Sequence, residues 1–351
     1  MKTVFLLHEG TIQHYRVPVY NYLSDCLRQR GYALSVVSEG VQEAPAQSMR
    51  FRYFENRLKF GPLNRLVDDI KPDAIILWAK PHLYTYPLFI KLKLRNVKII
   101  HWGHRRAMRP FALSKKLVAN FEHWLDDAVI LYSEQFREHV FKAFQHKTFI
   151  ANNTLNLTEY RPSKVSRADV KRNYHITTEK NIVYVGRIQR RRLLDHLVQA
   201  FAMLDLEDVG LILAGPDDEG ILEGFRGKNI FKLGPLYGDD ALDVLSASDV
   251  YCLPGAIGLS IVDAFFCGLP VLTESGFHGP EIMYLKDGVN GFIIPKGDIA
   301  QLASKLRLLL SDDALRRKFS QAARDEIMTN GHIDRMCEGF RNALDFVFRK
   351  A

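Results

Sequence analysis

A group of arginines follows the segment VYVGR and could hold a diphosphate. Arg187 ends this segment, and Arg190, Arg191 and Arg192 come within the next turn of the chain. Guanidinium groups bind phosphate oxygens through paired hydrogen bonds, and they can stabilise the charge of a leaving nucleotide. The alternative is a solvated basic start of a helix. The pattern favours an anion site directly after this strand.

The segment VYCLPGAIGLSIVDAFFCGLPV (residues 250–271) reads as a strand, a glycine turn and a helix that begins at about Leu259 to Ser260. Gly258 lets a ligand approach the backbone, and the first amides of the helix can bind a phosphate group. Asp263, one turn later, can accept hydrogen bonds from sugar hydroxyls. Glycines after a strand often serve only the turn, but together with the arginines this segment indicates a nucleotide-sugar site.

Glu281 lies in the loop TESGFHGPE, which follows the predicted strand PVLTE and contains Gly276, Gly279 and Pro280 as turn formers. A carboxylate in this loop could contact a ligand. The alternative is a carboxylate that stabilises the start of a helix. Both interpretations stay open for Glu281.

Two loops of the first half carry groups that suit phosphate, sugar or acceptor hydroxyls. The loop after the first strand has Gly10, His14 and Arg16, and the loop after the fourth strand has His101, His104, Arg105 and Arg106. A structural role is the usual outcome for a single histidine, whereas two such loops favour a site. We expect His14, Arg16, Arg105 and Arg106 on the acceptor side, and His104 beside Gly103 is the stronger histidine candidate.

Short β-branched runs alternate with amphipathic segments, first from residue 4 to 152 and again from 181 to 295. This alternation predicts βα units with parallel sheets, and thus an α/β fold of two doubly wound Rossmann-like domains that face a cleft. The polar stretch after Asn152 indicates the border. We expect domains over 1–160 and 161–335, with a C-terminal helix over 336–351 that returns toward the first domain.

The charge of the chain is uneven. Residues 1–155 have 23 Lys and Arg against 13 Asp and Glu, a net charge of +10, while the remainder has 25 against 27, a net charge of −2. The segment Arg50 to Phe60 and the basic residues Lys91, Lys93 and Arg95 suggest an anionic partner, either a membrane surface or a phosphorylated acceptor. A solvated basic face is the alternative. No nucleic-acid recognition motif is present.

Several classes of protein are disfavoured. The start MKTVFLLHEG is too short for a signal-peptide core, and no apolar run approaches the roughly 20 residues of a membrane span, so we expect a cytoplasmic protein. The four cysteines lack metal spacing and are expected to be reduced. No HExxH, DxD or GxSxG motif occurs, so the sequence predicts neither a metal site nor a serine nucleophile. The absence of GxGxxG disfavours a dehydrogenase.

In these residues and motifs, the chain resembles the GT-B glycosyltransferases of family four, which are retaining and use nucleotide-sugar donors. The likeness is strongest from Val183 to Pro295, over the blocks VYVGRIQRRR, LILAGP, IFKLGPLYG, LSASDVYCLPG, GLSIVDAFFCGLPV and PEIMYLKDGVNGFII. Arg192 stands where the family usually has lysine. Of the two glutamates of the acidic motif, the second is Asp263 and the first is Gly255, which has lost the carboxylate.

The resemblance assigns further roles. It implies that Gly10, Gly186, Arg187, Arg192, Gly258, Leu259, Ser260 and Asp263 bind the donor, with Leu236 or Tyr237 near the base. It also implies that His104 lies beside the donor sugar; with Asp263 and Glu281 it is a candidate catalytic residue. No metal is expected, and the UDP- or GDP-linked donor is a co-substrate rather than a cofactor.

The function expected from the resemblance is transfer of a sugar to a saccharide or lipid-linked saccharide acceptor, in the synthesis of capsule, cell-surface polysaccharide or lipopolysaccharide. A peripheral position at the inner face of the membrane would fit the basic first domain. Gly255 leaves open a non-catalytic scaffold that binds nucleotide-sugar. A GT-B epimerase is a third possibility, which the family blocks disfavour. The base, sugar, acceptor and oligomeric state are not readable from the sequence.

Overall fold

Parallel strands alternate with helices along both halves of the chain, as the periodicity of the sequence predicts. The computed structural model describes residues 1–42, 48–78, 86–103 and 121–349. The chain divides into a first unit, Met1–Glu159 with His332–Ala351, and a second unit, Tyr160–Gly331. The division falls one residue before the expected border at 160, and four residues before the expected border at 335. Each unit is an α/β unit with its own parallel sheet.

The first unit is built on a seven-stranded parallel sheet with the order β5-β3-β1-β6-β7-β8-β9. Its strands are β1 (Lys2–His8), β2 (Thr11–Ile12), β3 (Tyr32–Ser38), β4 (Gly40–Val41), β5 (Arg52–Glu55), β6 (Ala74–Trp78), β7 (Lys98–Trp102), β8 (Ala128–Leu131) and β9 (Thr148–Ile150), with β2 and β4 forming a separate pair. Its first helices are α1 (Arg16–Arg28), α2 (Phe60–Ile70), α3 (Tyr86–Leu94) and α4 (Lys142–Gln145), and 3₁₀ turns cover Glu134–His139 and Leu157–Glu159.

The second unit has a six-stranded parallel sheet with the order β12-β11-β10-β13-β14-β15. Its strands are β10 (Lys180–Val185), β11 (Val209–Ala214), β12 (Ile230–Gly234), β13 (Val250–Cys252), β14 (Val271–Glu274) and β15 (Gly291–Ile294). Its helices are α5 (Arg167–Asn173), α6 (Leu194–Ala202), α7 (Gly238–Ser246), α8 (Ser260–Phe266), α9 (Ile299–Ser311) and α10 (Asp313–Asn330), and 3₁₀ turns cover Arg190–Arg192, Ile221–Gly224 and Pro280–Tyr284.

Both faces of the first sheet are covered, which explains why its strands are continuous apolar runs rather than alternating ones. Along β1, Val4 and Leu6 belong to one buried cluster, and Phe5 and Leu7 belong to the cluster on the opposite face. The last helix, α11 (Ile333–Phe348), packs on the first of these clusters through Met336. The C-terminal segment is therefore part of the first unit.

A disulfide joins Cys26 on α1 to Cys337 on α11. The expectation that all four cysteines are reduced is wrong for this pair, whereas Cys252 and Cys267 are free thiols. The two bonded residues are 311 positions apart in sequence, and their Cα atoms are 6.7 Å apart only because α11 returns to pack beside α1. Sequence spacing carries no signal for such a pairing, since it depends on the tertiary path of the chain.

The basic segment Arg50–Phe60 contains an edge strand that the sequence analysis missed. Among the described strands, β5 pairs only with β3, and the guanidinium of Arg52 lies 4.6 Å from the centre of the Phe54 ring. Arg50 forms ion pairs with Asp25 and Glu159. Alternation of basic and aromatic residues here serves an exposed strand edge, where charged side chains are favoured.

The basic residues in the last turn of α3 and directly after it are also paired within the first unit. Lys91 and Arg95 both contact the Asp68 carboxylate, which lowers the pKa of Asp68 through these hydrogen bonds, and Lys93 contacts Asp127 at 2.8 Å. These side chains therefore do not form a free patch of positive charge. Over the ranges that the structure describes, no helix has the length and apolar character needed to cross a bilayer.

Candidate functional site

The candidate donor site of the second unit lies where β10, β13 and β14 end. These strands are neighbours in a parallel sheet, so the loops that follow them emerge at one edge. The carboxyl edge of such a sheet is the usual place for a ligand in α/β proteins. The first loop contains the arginine group, the second contains the glycine turn, and the third contains Glu281.

Gly186 ends β10 with a φ of +149°, a conformation that favours glycine. Its amide donates to the Ala214 carbonyl, and its own carbonyl occupies the place where a Cβ on Gly215 would stand. The Tyr184 hydroxyl donates to the carbonyl of Arg187 at 2.7 Å. The carboxyl ends of β10 and β11 are thus held against each other. This contact fixes the direction in which the chain enters the arginine turn.

The arginines of the 3₁₀ turn Arg190–Arg192 have different environments. Arg190 is 90% exposed and lies 3.6 Å from Glu219. Arg191 hydrogen-bonds Gln189, and burial together with the charges of Arg192 and Arg187 lowers its pKa. The guanidinium of Arg191 is therefore close enough to those of Arg187 and Arg192 to be affected by their charge. An anion at this point would relieve the mutual repulsion.

Arg192 is directed toward the glycine turn that follows β13. Its Nη1 donates to the Ala256 carbonyl, and its buried Nε has no hydrogen-bond partner among the described residues. A Cβ built on Gly258 would lie 3.9 Å from Arg192 Nη1. Arg192 and Gly258, predicted separately from the sequence, are therefore adjacent.

Three successive amides of the glycine turn are open to a ligand. The amides of Gly255, Ala256 and Ile257 are already bound to Arg192, Arg191 and His278. By contrast, the amides of Gly258, Leu259 and Ser260 have no acceptor within the described part of the chain. These open amides lie immediately before the first turn of α8, next to the Arg192 guanidinium, where they can donate to phosphate oxygens.

Gly255, the position without the expected carboxylate, lies directly under the arginine turn. Its amide donates to the Arg192 carbonyl at 2.9 Å, and the Ala256 amide donates to the Arg191 carbonyl at 3.1 Å. A Cβ on Gly255 would collide with the carbonyl of Arg191 and the backbone of Arg192. The backbone of the arginine turn therefore fills the space that a side chain at position 255 would need. This close contact requires glycine.

Asp263 is held by a tyrosine that the sequence analysis did not consider. The Tyr160 hydroxyl donates to Asp263 Oδ1 at 2.6 Å, and the Tyr160 ring packs edge-on against Phe266, 5.1 Å between ring centres. Burial raises the pKa of Asp263 to about 6, an effect that the hydrogen bond from Tyr160 opposes. Burial and the nearby Asp263 carboxylate also raise the pKa of Tyr160. One carboxylate oxygen of Asp263 is thus already bound by Tyr160 of the same unit.

Glu281 is 3% exposed and lies in the first turn of the 3₁₀ segment Pro280–Tyr284. Its Oε2 occupies the space beside Gly279, whose amide donates to the Ile257 carbonyl at 2.8 Å. The loop after β14 is therefore fastened to the glycine turn after β13. Both interpretations of Glu281 from sequence agree with this position, at the start of a helical turn and beside the donor loop.

Two residues expected near the base follow β12 at the same edge of the sheet. Tyr237 precedes α7 and is 48% exposed, and Leu236 is partly buried. An exposed ring can stack on a nucleobase. β12 is separated from β10 by β11, so these residues lie two strands away from the arginine turn.

The structure describes three of the candidate residues of the first unit, Gly10, His14 and Arg16. Gly10 has a φ of +77° after β1, and His14 is near Gln42 at 3.5 Å. Arg16 begins α1 and is buried. The remaining three, His104, Arg105 and Arg106, lie outside the described residues.

Sequence reasoning missed a pair of histidines that support the loops of the second unit. His278 accepts the Ile257 amide at Nδ1 and bonds the Glu274 carbonyl through Nε2, and burial lowers its pKa. His196 contacts the buried Glu274 carboxylate at 2.7 Å, and Gly297 donates to the other carboxylate oxygen. His278 could have been found, because it lies within TESGFHGPE; the partner of His196 required the fold.

No cluster of three His, Cys, Asp or Glu side chains able to hold a metal ion occurs in the described ranges. The cationic groups at this site are arginines, which can neutralise phosphate charge themselves. The arrangement can bind an anion through charge and amide hydrogen bonds and can leave a hydroxyl-bearing group near Asp263.

Part of the chain resembles known proteins in sequence. Residues 166–326 match the profile described as Glycosyl transferases group 1. Sulfoquinovosyl transferase SQD2 of Arabidopsis thaliana is 30% identical over 149 residues, which are 41% of this chain and 29% of the relative. The match thus spans under a third of that relative's length.

Solved structures resemble the whole chain. A glycosyltransferase from Rickettsia africae ESF-5 has a TM-score of 0.77 at 13% identity, with all of both chains covered. Anabaena Alr3699/HepE in complex with UDP-glucose has a TM-score of 0.74 at 17% identity, covering 98% of this chain and 99% of the other. These likenesses confirm the GT-B fold of two Rossmann-like domains that the sequence predicts.

Proposed function

We propose that this chain, whose residues 166–326 match the profile of group 1 glycosyltransferases, is a retaining glycosyltransferase of GT-B fold. It would move a sugar from a nucleotide-sugar donor to a saccharide or lipid-linked saccharide acceptor. The observation that carries the proposal is the meeting of Arg192 with the open amides of Gly258, Leu259 and Ser260 at the carboxyl edge of the sheet. That combination suits a diphosphate.

The donor would be held by this part of the second unit. Arg187, Arg191 and Arg192 would face the diphosphate, whose charge would offset their mutual repulsion, and Gly186 would let the chain approach. Tyr237 or Leu236 would contact the base. The structural likeness to a protein in complex with UDP-glucose supports a UDP-linked donor, and a GDP-linked donor remains the second choice. Gly10 stays a further candidate for donor binding.

The sugar would lie toward Asp263 and Glu281. Asp263 would accept a hydrogen bond from a sugar hydroxyl through the oxygen that Tyr160 does not use. Glu281, whose loop is fastened to the glycine turn through the Gly279 amide, stays a candidate catalytic residue. We retain His104 as the candidate beside the donor sugar, and Arg105, Arg106 and His14 as acceptor-side candidates.

The chemistry would need no metal ion and no protein nucleophile. The nucleotide diphosphate would leave as the acceptor hydroxyl attacks the same face of the sugar, and a leaving phosphate oxygen would take the acceptor proton. Arg187, Arg192 and the three amides would stabilise the negative charge that develops on the leaving group, which is where electrostatic stabilisation lowers the barrier most. Retention of configuration follows from attack on that face.

The acceptor would belong to capsule, cell-surface polysaccharide or lipopolysaccharide synthesis, with the protein at the inner face of the membrane. The net charge of +10 over residues 1–155 supports an anionic partner, although several of these side chains are paired internally. On α3, Ile90 and Leu94 are exposed one turn apart. Flotation with vesicles of anionic lipid tests this part: an Ile90→Ser, Leu94→Ser variant should float less than the wild type.

A non-catalytic nucleotide-sugar scaffold is the second candidate. It is favoured by Gly255, because the arginine turn occupies the space of the missing carboxylate and no side chain can be added there without movement. Such a protein would bind nucleotide-sugar tightly and release no sugar.

The deciding experiment incubates the purified chain with UDP-, GDP-, ADP- and dTDP-sugars, with and without a membrane lipid extract, and measures nucleotide release and binding. Release from one donor that increases with extract is expected, and NMR of the product should show retained anomeric configuration. Binding without release would support the scaffold. Absence of nucleotide binding for every donor would contradict both proposals. In the same assays, the variant Arg192→Gln tests the arginine beside the open amides. The variant Arg190→Gln is its matched control.

A further inference from the structure

The first unit contains a buried guanidinium group without a counter-charge. Arg16, the first residue of α1, is 5% exposed. Its Nη2 donates to Asn153 Oδ1 at 2.9 Å, while its Nη1 is buried and has no hydrogen-bond partner among the described residues. Among the residues that the structure describes, no carboxylate forms an ion pair with Arg16. Arginine keeps its charge in proteins, so burial leaves an unbalanced positive charge here.

The surroundings of Arg16 come from the carboxyl ends of neighbouring strands. The rings of Tyr15, Trp78 and Trp102 lie 5.8 to 5.9 Å from the guanidinium carbon. Trp78 ends β6 and Trp102 ends β7, which are adjacent in the sheet. Aromatic faces attract a cation, but they carry no net charge and offer no acceptor to Nη1. The ring contacts alone leave the charge uncompensated.

The polar neighbours do not supply a negative charge either. His8 stacks on Trp78 with 4.1 Å between ring centres, and its Nδ1 is 2.7 Å from the Tyr20 hydroxyl. Burial and the charge of Arg16 lower the pKa of His8 to about 3, and burial raises the pKa of Tyr20. Both groups are therefore neutral at pH 7.

Two glycines follow strands at the carboxyl edge of this sheet. Gly103 follows Trp102 with a φ of +140°, and among the described atoms the nearest to a Cβ built on it would be the Tyr132 hydroxyl, at 4.0 Å. A Cβ built on Gly10, two residues after β1, would meet no described atom within 4 Å.

We propose that Arg16 is the binding residue for a single oxyanion, phosphate or carboxylate, carried by the acceptor. This inference rests on the proposed function for the identity of the acceptor, but not for the anion site itself. Nη1 would donate to one oxygen of the anion, while Asn153 keeps Nη2 in position and the Trp78 and Trp102 rings hold the guanidinium group. The transferase would accordingly prefer acidic or phosphorylated acceptors over neutral ones.

The test uses the two tryptophans of the site as reporters. The chain has three tryptophans, and Trp124, which is exposed, is replaced by Phe so that Trp78 and Trp102 alone emit. The full chain is titrated with inorganic phosphate and, separately, with acetate, in the presence of saturating UDP and with sodium chloride of equal ionic strength as the control. A saturable change in emission beyond that caused by chloride is expected, and the more effective anion identifies the acceptor group.

Arg16→Gln should weaken binding of the effective anion by about 10- to 100-fold, the range for a lost hydrogen bond to a charged group. Arg16→Lys should bind more weakly than the wild type but better than Arg16→Gln. An unchanged anion affinity in either variant, or no saturable change in the Trp124→Phe protein, would overturn the proposal. If Arg16→Gln does not fold, as judged by circular dichroism, the Arg16→Lys titration and the Trp124→Phe titration decide.

The same samples separate this inference from the proposed function. UDP binding and nucleotide release from the donor are measured alongside the anion titrations. An intact anion response without any release would contradict the transferase and leave the Arg16 site standing. Donor release with no anion response would overturn the Arg16 site alone. In an active enzyme, Arg16→Gln should raise the KM for an acidic acceptor at least tenfold and leave the KM for the donor unchanged.

Discussion

The amide of Gly255 donates to the carbonyl of Arg192 at 2.9 Å, so the glycine turn and the arginine turn are one backbone unit. This contact links two features that are 63 residues apart in sequence. It also gives a structural reason for glycine where the resemblance leads one to expect a carboxylate. The position of Arg192 depends on the absence of a side chain at residue 255.

Substitution of Gly255 should therefore weaken the site rather than restore it. In Gly255→Glu and Gly255→Ala, the added Cβ would collide with the carbonyl of Arg191. We expect a loss of about 1–3 kcal/mol in the free energy of unfolding, as for overpacked sites, and weaker UDP binding. Denaturant unfolding and calorimetric titration measure these effects. Gly224→Ala is the control, since its Cβ meets nothing within 4 Å; a gain of turnover in Gly255→Glu would refute this account.

Arg192→Gln should lower the affinity for a nucleoside diphosphate by about 10- to 100-fold, because a charged hydrogen-bond donor beside the open amides is lost. Arg190→Gln should change this affinity less than twofold, since Arg190 is exposed and faces Glu219. Calorimetric titration with UDP and GDP compares the two variants. Equal losses in both would mean that only general positive charge matters.

The raised pKa of Asp263 predicts a pH-dependent stability. A carboxyl whose pKa rises from about 3.8 to about 6 on folding favours the folded state most below pH 4, and this contribution is lost as the pH rises through 6. Asp263→Asn removes the ionisation. The Tm of the variant relative to the wild type should therefore increase between pH 4 and 6 and level off above. A flat Tm difference over this range would show that the carboxyl titrates normally.

His278 should support the donor loop in its neutral form. Its Nδ1 accepts the Ile257 amide, so protonation or removal of the ring leaves that amide without its acceptor. His278→Ala should reduce UDP affinity by about 5- to 30-fold, because a buried unsatisfied donor costs about 1–2 kcal/mol. His175→Ala, an exposed histidine of the same unit, is the control. Equal UDP affinity in the two variants would show that His278 does not support the glycine turn.

Removal of the disulfide should destabilise the first unit. Cys337→Ser frees α11 from α1, and loss of a native disulfide costs about 2–4 kcal/mol. Thermal unfolding of the variant should show a lower Tm for the first unit, and a reductant should lower the Tm of the wild type but not that of the variant. Cys252→Ser, at a buried free thiol, controls for the loss of a thiol group.

The sequence by itself determined most of the sheet strands, the order of the units and the loops that carry the donor site. Continuous apolar runs such as β10 and β11 can only be buried strands of a parallel sheet, and parallel strands place the loops that follow them at one edge. For that reason Arg192 and Gly258 could both be selected from local pattern. The edge strand β5 was missed because it is short and half-exposed, and its alternation of basic and aromatic residues imitates a binding face.

Only the tertiary structure decided which residues distant in sequence contact one another. The disulfide of Cys26 with Cys337, the Tyr160 hydroxyl on Asp263, and the backbone of Arg192 over Gly255 all join positions distant in sequence. Local periodicity carries no information on such pairs, since they depend on which loops the sheet order brings together. The same holds for Arg16: its residue type suggested an anion, but its burial without a carboxylate is a property of the folded first unit.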